Sequence, residues 1–270
     1  MMDVKTYVAM NKNHLRKMVG NRDIRLCIIQ VGDNPASNSY VKGKISDCEE
    51  VGIIARHMKL EETTTTEEIL TLVEYLNKSD ACTGIIIQLP LPAHIDVKKV
   101  QLAITPHKDV DGFHPMSKFI PCTPLGVVNF LIHTSYAFQG KRALVIGRSD
   151  IVGKPLAQLL TDLDCTVTLA HSKTPIDTLK FYIEHSDIVF TAISPIEYFD
   201  EKFKTAFEHV PVVIDIGLGR NNEGKLKGNL STELVLHLKK CDNIVISGIG
   251  GVGLLTRLQL LTNTINAKSF

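Results

Sequence analysis

The sequence predicts an α/β fold of two domains, each built on a parallel sheet. Three observations predict it. Short apolar runs alternate with amphipathic helical patterns almost from end to end. The strand-like runs are followed by glycine or proline turns, or by a polar segment. The alternation breaks once, between Lys108 and Pro124, in a stretch rich in Pro, Gly, Asp and His where the domain junction is placed.

Taken in chain order, the opening "MMDVKTYVAMNKNHLRKMVG" has no uninterrupted apolar core and no small-residue cleavage site. It reads as an amphipathic helix, not a signal peptide. "LCIIQV" (Leu26 to Val31) is a strand, and the Gly-Asp-Asn-Pro that follows leads into a helix expected to be capped by Ser37. "TTEEILTLVEYLN" puts Ile69, Leu72, Val73 and Leu76 at helical spacing behind a threonine cap. "GIIIQLPLP" (Gly84 to Pro92) reads as a buried strand stopped by prolines. Beyond the junction, the strand "RALVIG" (Arg142 to Gly147) runs into the helix of "VGKPLAQLL". The strands "CTVTLAH", "SDIVFTAI", "VPVVIDIG" and "NIVIS" follow, so that five strands with intervening helices form a Rossmann-like half. Leu254 to Ala267 is apolar at helical spacing, a closing helix expected to pack back on the first domain.

Composition narrows the function. Of 270 residues, 44% are apolar, as a packed globular protein requires. With 30 basic and 29 acidic residues, the net charge of +1 offers no field for nucleic acid or a membrane surface. No apolar run approaches the roughly 20 residues that span a bilayer. A soluble, intracellular protein is the expectation. The six cysteines (Cys27, Cys48, Cys82, Cys122, Cys165, Cys241) are scattered without a CxxC pair, so buried thiols are expected, without zinc or disulfides.

Ligands of open parallel sheets bind beyond the carboxyl ends of the strands. "VIGRSDIVGKP" has that context: Gly147 ends a strand, Gly153 opens a helix, and a second strand ends at His171. An NAD enzyme usually carries a carboxylate there; here His171, Ser172 and Lys173, with Arg148, form a cationic cluster suited to NADP. In the first half, "SNSYVKGK" sets Tyr40 and Lys44 four apart on one helical face, a ring for stacking beside an ammonium for proton transfer. Gln88, in an apolar strand, needs a partner such as Lys44 or a substrate. Asp109 and Asp111 in "HKDVDGFHP" lack a third ligand for a metal, and His107 and His114 read as loop histidines bonded to backbone. "NIVISGIGGVGLLT" satisfies the GxGxxG pattern of dinucleotide sites at Gly248, Gly250 and Gly253, but no second strand follows, so its glycines call for another explanation.

Set end to end, "VGDNPASNSYVKGK", "GIIIQLPLP", "HKDVDGFHP", "PCTPLGVVNFL", "GRSDIVGKPLAQLL", "CTVTLAHSKT", "VVIDIGLGR" and "GGVG" resemble, in order, the bifunctional methylenetetrahydrofolate dehydrogenase/cyclohydrolase family, often called FolD. The resemblance implies an α/β folate-binding catalytic domain over residues 1–119 with the closing helix, 252–270. It implies a Rossmann-like NADP-binding domain over 120–251, with a cleft between the two. It further implies oxidation of 5,10-methylenetetrahydrofolate to the methenyl form with NADP, hydrolysis to 10-formyltetrahydrofolate, and a cytoplasmic homodimer paired through the cofactor domain. By similarity, Lys44 is the acid/base of the water step, Gln88 orients it, Tyr40 stacks on the folate, and Asp111 accepts the paired N–H groups of the pterin edge. Leu89, Gly250, Gly251 and Val252 complete the substrate contacts, while Gly147, Arg148, Ser149, Ser172 and Leu218 hold NADP; no metal is implied. The chain departs from the family at Ile246-Ser247-Gly248-Ile249 and Leu254-Leu255-Thr256, where three prolines are usual, at Asn229, where aspartate is usual, and at Ser194, where glycine is usual. A cyclohydrolase with weakened dehydrogenase, or an NADP oxidoreductase for another small substrate, are the alternatives.

Overall fold

The structure is a computed structural model and describes residues 2–268. The chain divides into two compact units: one runs from Thr6 to Cys122 and resumes at Arg257; the other comprises Thr123–Thr256 with the N-terminal stretch up to Lys5.

The first unit contains α1 (Val4–Val19), β1 (Arg25–Val31), α2 (Pro35–Val51), β2 (Ile54–Leu60), α3 (Thr66–Lys78), β3 (Gly84–Ile87) and α4 (Val97–Ala103). Its strands form a parallel sheet of order β2-β1-β3, with Cys27 opposite Ile85. β1 is apolar almost throughout because it is the central strand; β2, at the edge, alternates with exposed residues. Thr65 and Glu68 form a capping box at α3, whose Ile69 and Val73 are fully buried against Ile29 and Ile85. Each such aliphatic side chain contributes about 1.5–3 kcal/mol by burial.

Two local expectations need correction. Asn34, not Ser37, caps α2: its side chain accepts from Ala36 N and Ser37 N, and Pro35 takes the first helical position, where a missing N–H costs nothing. The strand expected over Gly84 to Pro92 ends at Ile87. Gln88 N still donates to Ile29 O at 2.8 Å, but Pro90 and Pro92 have no N–H with which to continue.

The second unit contains α5 (Cys122–His133), β4 (Arg142–Ile146), α6 (Gly153–Asp162), β5 (Thr166–Ala170), α7 (Ile176–Glu184), β6 (Ile188–Thr191), α8 (Lys204–Glu208), β7 (Val212–Asp215), the β8–β9 hairpin (Gly219–Arg220, Leu226–Lys227), α9 (Thr232–Lys240) and β10 (Ile244–Ile246). Five strands form a parallel sheet of order β10-β7-β6-β4-β5, the doubly wound pattern. Leu144, Val189, Phe199 and Phe207 lie in its core. A wide turn, Gly248–Val252, leads into α10 (Gly253–Ala267). From Arg257 onward α10 belongs to the first unit, where Asn263 Nδ2 donates to Val110 O at 2.9 Å. No helix among the described residues is long and apolar enough to cross a membrane. All six cysteines are free, and only Cys241 is exposed.

Candidate active site

In the first unit, α2 carries Tyr40 and Lys44 on one face because one helical turn separates them. The Lys44 ammonium lies 5.2 Å from the centre of the Tyr40 ring and donates to Gln88 Oε1 at 3.2 Å. Gln88 stands one residue past β3, and its Nε2 donates to Leu89 O at 2.7 Å. That second bond fixes the amide so that its oxygen, the acceptor, faces the lysine. Lys44 and Gln88 are buried, Tyr40 half-buried, so an ammonium, an amide and an aromatic face converge.

Asp109 and Asp111 follow in the loop after α4, both buried. Asp109 shapes the loop: its carboxylate accepts from Gly112 N at 3.2 Å and His114 N at 2.8 Å. Gly112 must be glycine there, because its φ is +78° and a Cβ would lie 2.7 Å from Phe119 O. Asp111 is different. Burial, countered by the Lys44 charge and reinforced by Asp109, pushes its carboxyl up to about 6. A buried carboxylate of this kind is stabilised by a ligand that brings N–H donors. His114 Nδ1 accepts from Met116 N at 2.9 Å, the backbone bond expected of a loop histidine, and His107 is exposed. Among the described residues no group of three or more ligating side chains could hold a metal ion.

In the second unit, backbone makes the site. Gly147 has φ +126°, and a Cβ there would lie 2.1 Å from Ala192 O; one on Gly153 would lie 2.0 Å from Gly147 O. The two glycines thus let β4 turn directly into α6, whose cap position is Val152, with no side-chain cap. Its N-terminus suits a phosphate. β4 and β5 are neighbours with Ile146 opposite Ala170, so Arg148 and the run His171, Ser172, Lys173 emerge side by side at the carboxyl ends of the strands. Arg148, Ser149, Ser172 and Lys173 are exposed, and this cradle fits a pyrophosphate with a further phosphate beside it. Leu218, after β7, is 44% exposed, beyond the same edge of the sheet.

The wide turn is no dinucleotide site: Gly250 alone in it is left-handed, at φ +70°, and the helix after it is α10 with no strand behind it. Gly250 and Gly251 instead border a cavity of about 440 Å³ within the second unit, with Ser247 and Phe130. Asn229, buried, donates from Nδ2 to Ile193 O and Pro195 O and accepts from Ile193 N, a double donation that aspartate cannot make.

Sequence reasoning missed several supporting residues. Asp47, buried on α2 one turn beyond Lys44, pairs with Lys12 and Arg257, both at 2.6 Å. Asp215, buried at the end of β7, accepts from Thr191 Oγ1 and from Asn229 N. Their partners lie far off in sequence; the only local signal at Asp215 was a charge in an otherwise apolar stretch, and Asp47, among charged neighbours on α2, had none.

Comparison with known proteins identifies the family of both units. Residues 2–111 match the catalytic domain of tetrahydrofolate dehydrogenase/cyclohydrolase, and residues 121–270 match the NAD(P)-binding domain of the same enzymes. The bifunctional protein FolD of Brevibacillus brevis is 41% identical over 254 residues, covering 90% of this chain and 86% of that one. The crystal structure of the Campylobacter jejuni bifunctional FolD is 35% identical with a TM-score of 0.89, covering 99% of this chain and 97% of the other. The Trypanosoma brucei enzyme, solved with NADP and an inhibitor, is 27% identical with a TM-score of 0.88, covering 100% of this chain and 97% of that one. The chain belongs to the tetrahydrofolate dehydrogenase/cyclohydrolase family.

Proposed function

We infer that the protein oxidises 5,10-methylenetetrahydrofolate to 5,10-methenyltetrahydrofolate with NADP and hydrolyses the product to 10-formyltetrahydrofolate. The observation that carries this reading is the buried Lys44–Gln88 pair facing Asp111, on a unit of the family's catalytic domain. NADP, when bound, supplies the hydride acceptor. The chain's own residues bind and orient the substrate: Tyr40 offers a ring to the folate, and Asp111 accepts the two N–H groups of the aminopyrimidinone edge as it would a guanidinium. The N5 lone pair assists departure of hydride, so this step asks for placement more than for a base. Hydration of the methenyl carbon does ask for a proton carrier. Lys44, in its neutral amine form, takes the proton from the attacking water at Nζ and returns it to N5 as the bond from the hydrated carbon to N5 breaks, while Gln88 Oε1 accepts an N–H of that amine and holds it in place.

Leu89, Gly250, Gly251 and Val252 are assigned to substrate on the family pattern. Gly147, Arg148, Ser149, Ser172 and Leu218 are assigned to the cofactor, which the glycine cradle supports. The same reading includes a role in purine biosynthesis, a cytoplasmic location and a homodimer joined through the cofactor unit. The last is supported by exposed apolar residues, Leu169 on the edge strand β5 and Ile176 and Phe181 on α7.

The test is a paired assay of methenyltetrahydrofolate formation with NADP and with NAD, and of hydrolysis, on the parent and on Lys44→Met. Turnover with NADP is expected, together with loss of about a hundredfold or more in hydrolysis for the variant while folate still binds. No turnover with either nucleotide would sink the dehydrogenase reading; full hydrolysis by Lys44→Met would sink the role of Lys44.

A further inference from the structure

Three residues before Asp111 stands Lys108, a lysine only 8% exposed. Its Nζ donates to Leu76 O at 2.9 Å, Asn77 O at 2.8 Å and Ser79 O at 2.8 Å. All three N–H bonds are therefore spent on carbonyls at the C-terminal end of α3 and its cap, where the helix dipole is negative. A tetrahedral ammonium places three donors around one point, which a planar guanidinium does not.

The main chain of Lys108 is held as firmly as its side chain. Lys108 O accepts from Ile85 N at 2.8 Å, tying the segment to β3, and Lys108 N donates to Thr105 O at 2.9 Å. Asn77, whose carbonyl receives Lys108, also accepts from Thr105 N through its side chain at 3.0 Å. One helix end thus grips both sides of Lys108. The next links lead to Asp111: Asp109 closes the turn, Val110 O receives Asn263 Nδ2, and Asp111 O receives Cys122 N at 3.3 Å. The Lys108 ammonium is taken up by the carbonyls at the end of α3, so its link to Asp111 runs through the backbone of the loop.

We propose that Lys108 is a positioning residue for substrate binding: its ammonium, seated in the carbonyl end of α3, fixes the loop that presents Asp111 to the pterin edge. This rests on the assignment of Asp111 to that edge.

The experiment is a double-mutant cycle on the full-length enzyme with NADP, using Lys108→Met, Asp111→Asn and the pair. Lys108→Arg and Lys108→Gln are run alongside, and the Gln variant carries the cycle if the Met variant does not fold. The readouts are KM for methylenetetrahydrofolate, kcat, and NADP affinity by direct titration. The expected result is a rise in folate KM of about tenfold or more for Lys108→Met, with NADP affinity within about twofold. Arg and Gln should fall between Met and the parent. The rise should vanish in the Asp111→Asn background, since two changes acting through one contact do not add. An equal rise in that background, or a parallel loss of NADP affinity, would make Lys108 a general stabiliser and overturn the proposal. An unchanged folate KM in Lys108→Met would overturn it too, leaving Asp111 in its role. An unchanged KM in Asp111→Asn would remove the assignment of Asp111 and the proposal with it.

Discussion

The turn after β1 and the turn after β4 occupy the same place in their sheets, beyond the carboxyl end of a parallel strand, and they are built in opposite ways. After β1 the helix N-terminus is closed by its own side chain: Asn34 Oδ1 accepts from two of the first N–H groups of α2. After β4 the cap position of α6 is a valine, and the nearest side-chain acceptor is Ser149 Oγ, a long 3.4 Å from Gly153 N. A capped helix has little left to offer an anion at its end, so the chemistry of the first unit lies farther along α2, at Tyr40 and Lys44. An uncapped helix with glycines before it offers backbone to a phosphate. On the proposed assignment the first unit recognises with side chains and the second with main chain, which makes the two sensitive to different substitutions.

Gly147→Ala should produce the largest effect. Its φ of +126° lies where L side chains rarely go, and its Cβ would sit 2.1 Å from a backbone oxygen of Ala192 that cannot rotate away. A loss of about 3 kcal/mol or more is expected, with NADP binding lost before the fold is. Denaturant unfolding with and without NADP measures both; a variant that binds NADP as the parent does would show that the β4 turn is not the cradle.

Asp111→Asn tests the side-chain unit through pH. The folded carboxyl is raised to about 6. Between the ordinary aspartate value near 4 and about 6, the native state therefore holds a proton that the unfolded chain has lost, so this group makes stability fall as pH rises through that window. The cost is absent below it and complete above it. Relative to the parent, the Asn variant should gain stability between those limits by at most about 3 kcal/mol, less whatever Lys44 loses with its facing charge. Buried Asp109, also raised by its burial, is common to both proteins. Folate KM should behave oppositely, rising below about pH 6 in the parent and staying flat in the variant. A parallel pair of stability curves would show that Asp111 is ionised throughout.

These two sites were unequally legible in the sequence. Strand and helix periodicity gave both sheets, because buried parallel strands are continuous apolar runs. The edge strand β2 was harder, since Arg56, His57 and Lys59 interrupt its pattern where one face meets solvent. The proximity of Tyr40 to Lys44 and the glycine turn after β4 could be read from spacing, for helix geometry and glycine chemistry are local. The docking of Lys108 on α3, the Asp47–Arg257 pair and the double donation by Asn229 could not, because each joins residues about thirty or more apart in the chain and depends on how the fold brings them together.

The smallest expected effect separates two residues of the first turn. Ser37 is the kind of residue that caps helices, but it is already inside α2, with its backbone N–H given to Asn34 Oδ1 at 3.1 Å and its hydroxyl 3.5 Å from Leu89 O. Asn34→Ala removes an acceptor from two helix N–H groups and should cost about 1 kcal/mol. Ser37→Ala removes one long hydrogen bond at a buried position and should cost a few tenths. Thermal unfolding of the two variants side by side would reverse the assignment of the cap if Ser37→Ala proved the more damaging. Because α2 carries Lys44 three turns from its start, fraying at Asn34 should reach stability well before it reaches hydrolysis. The closed end of α2 would then be a scaffold for the chemistry farther along it, as the open end of α6 is a ligand site.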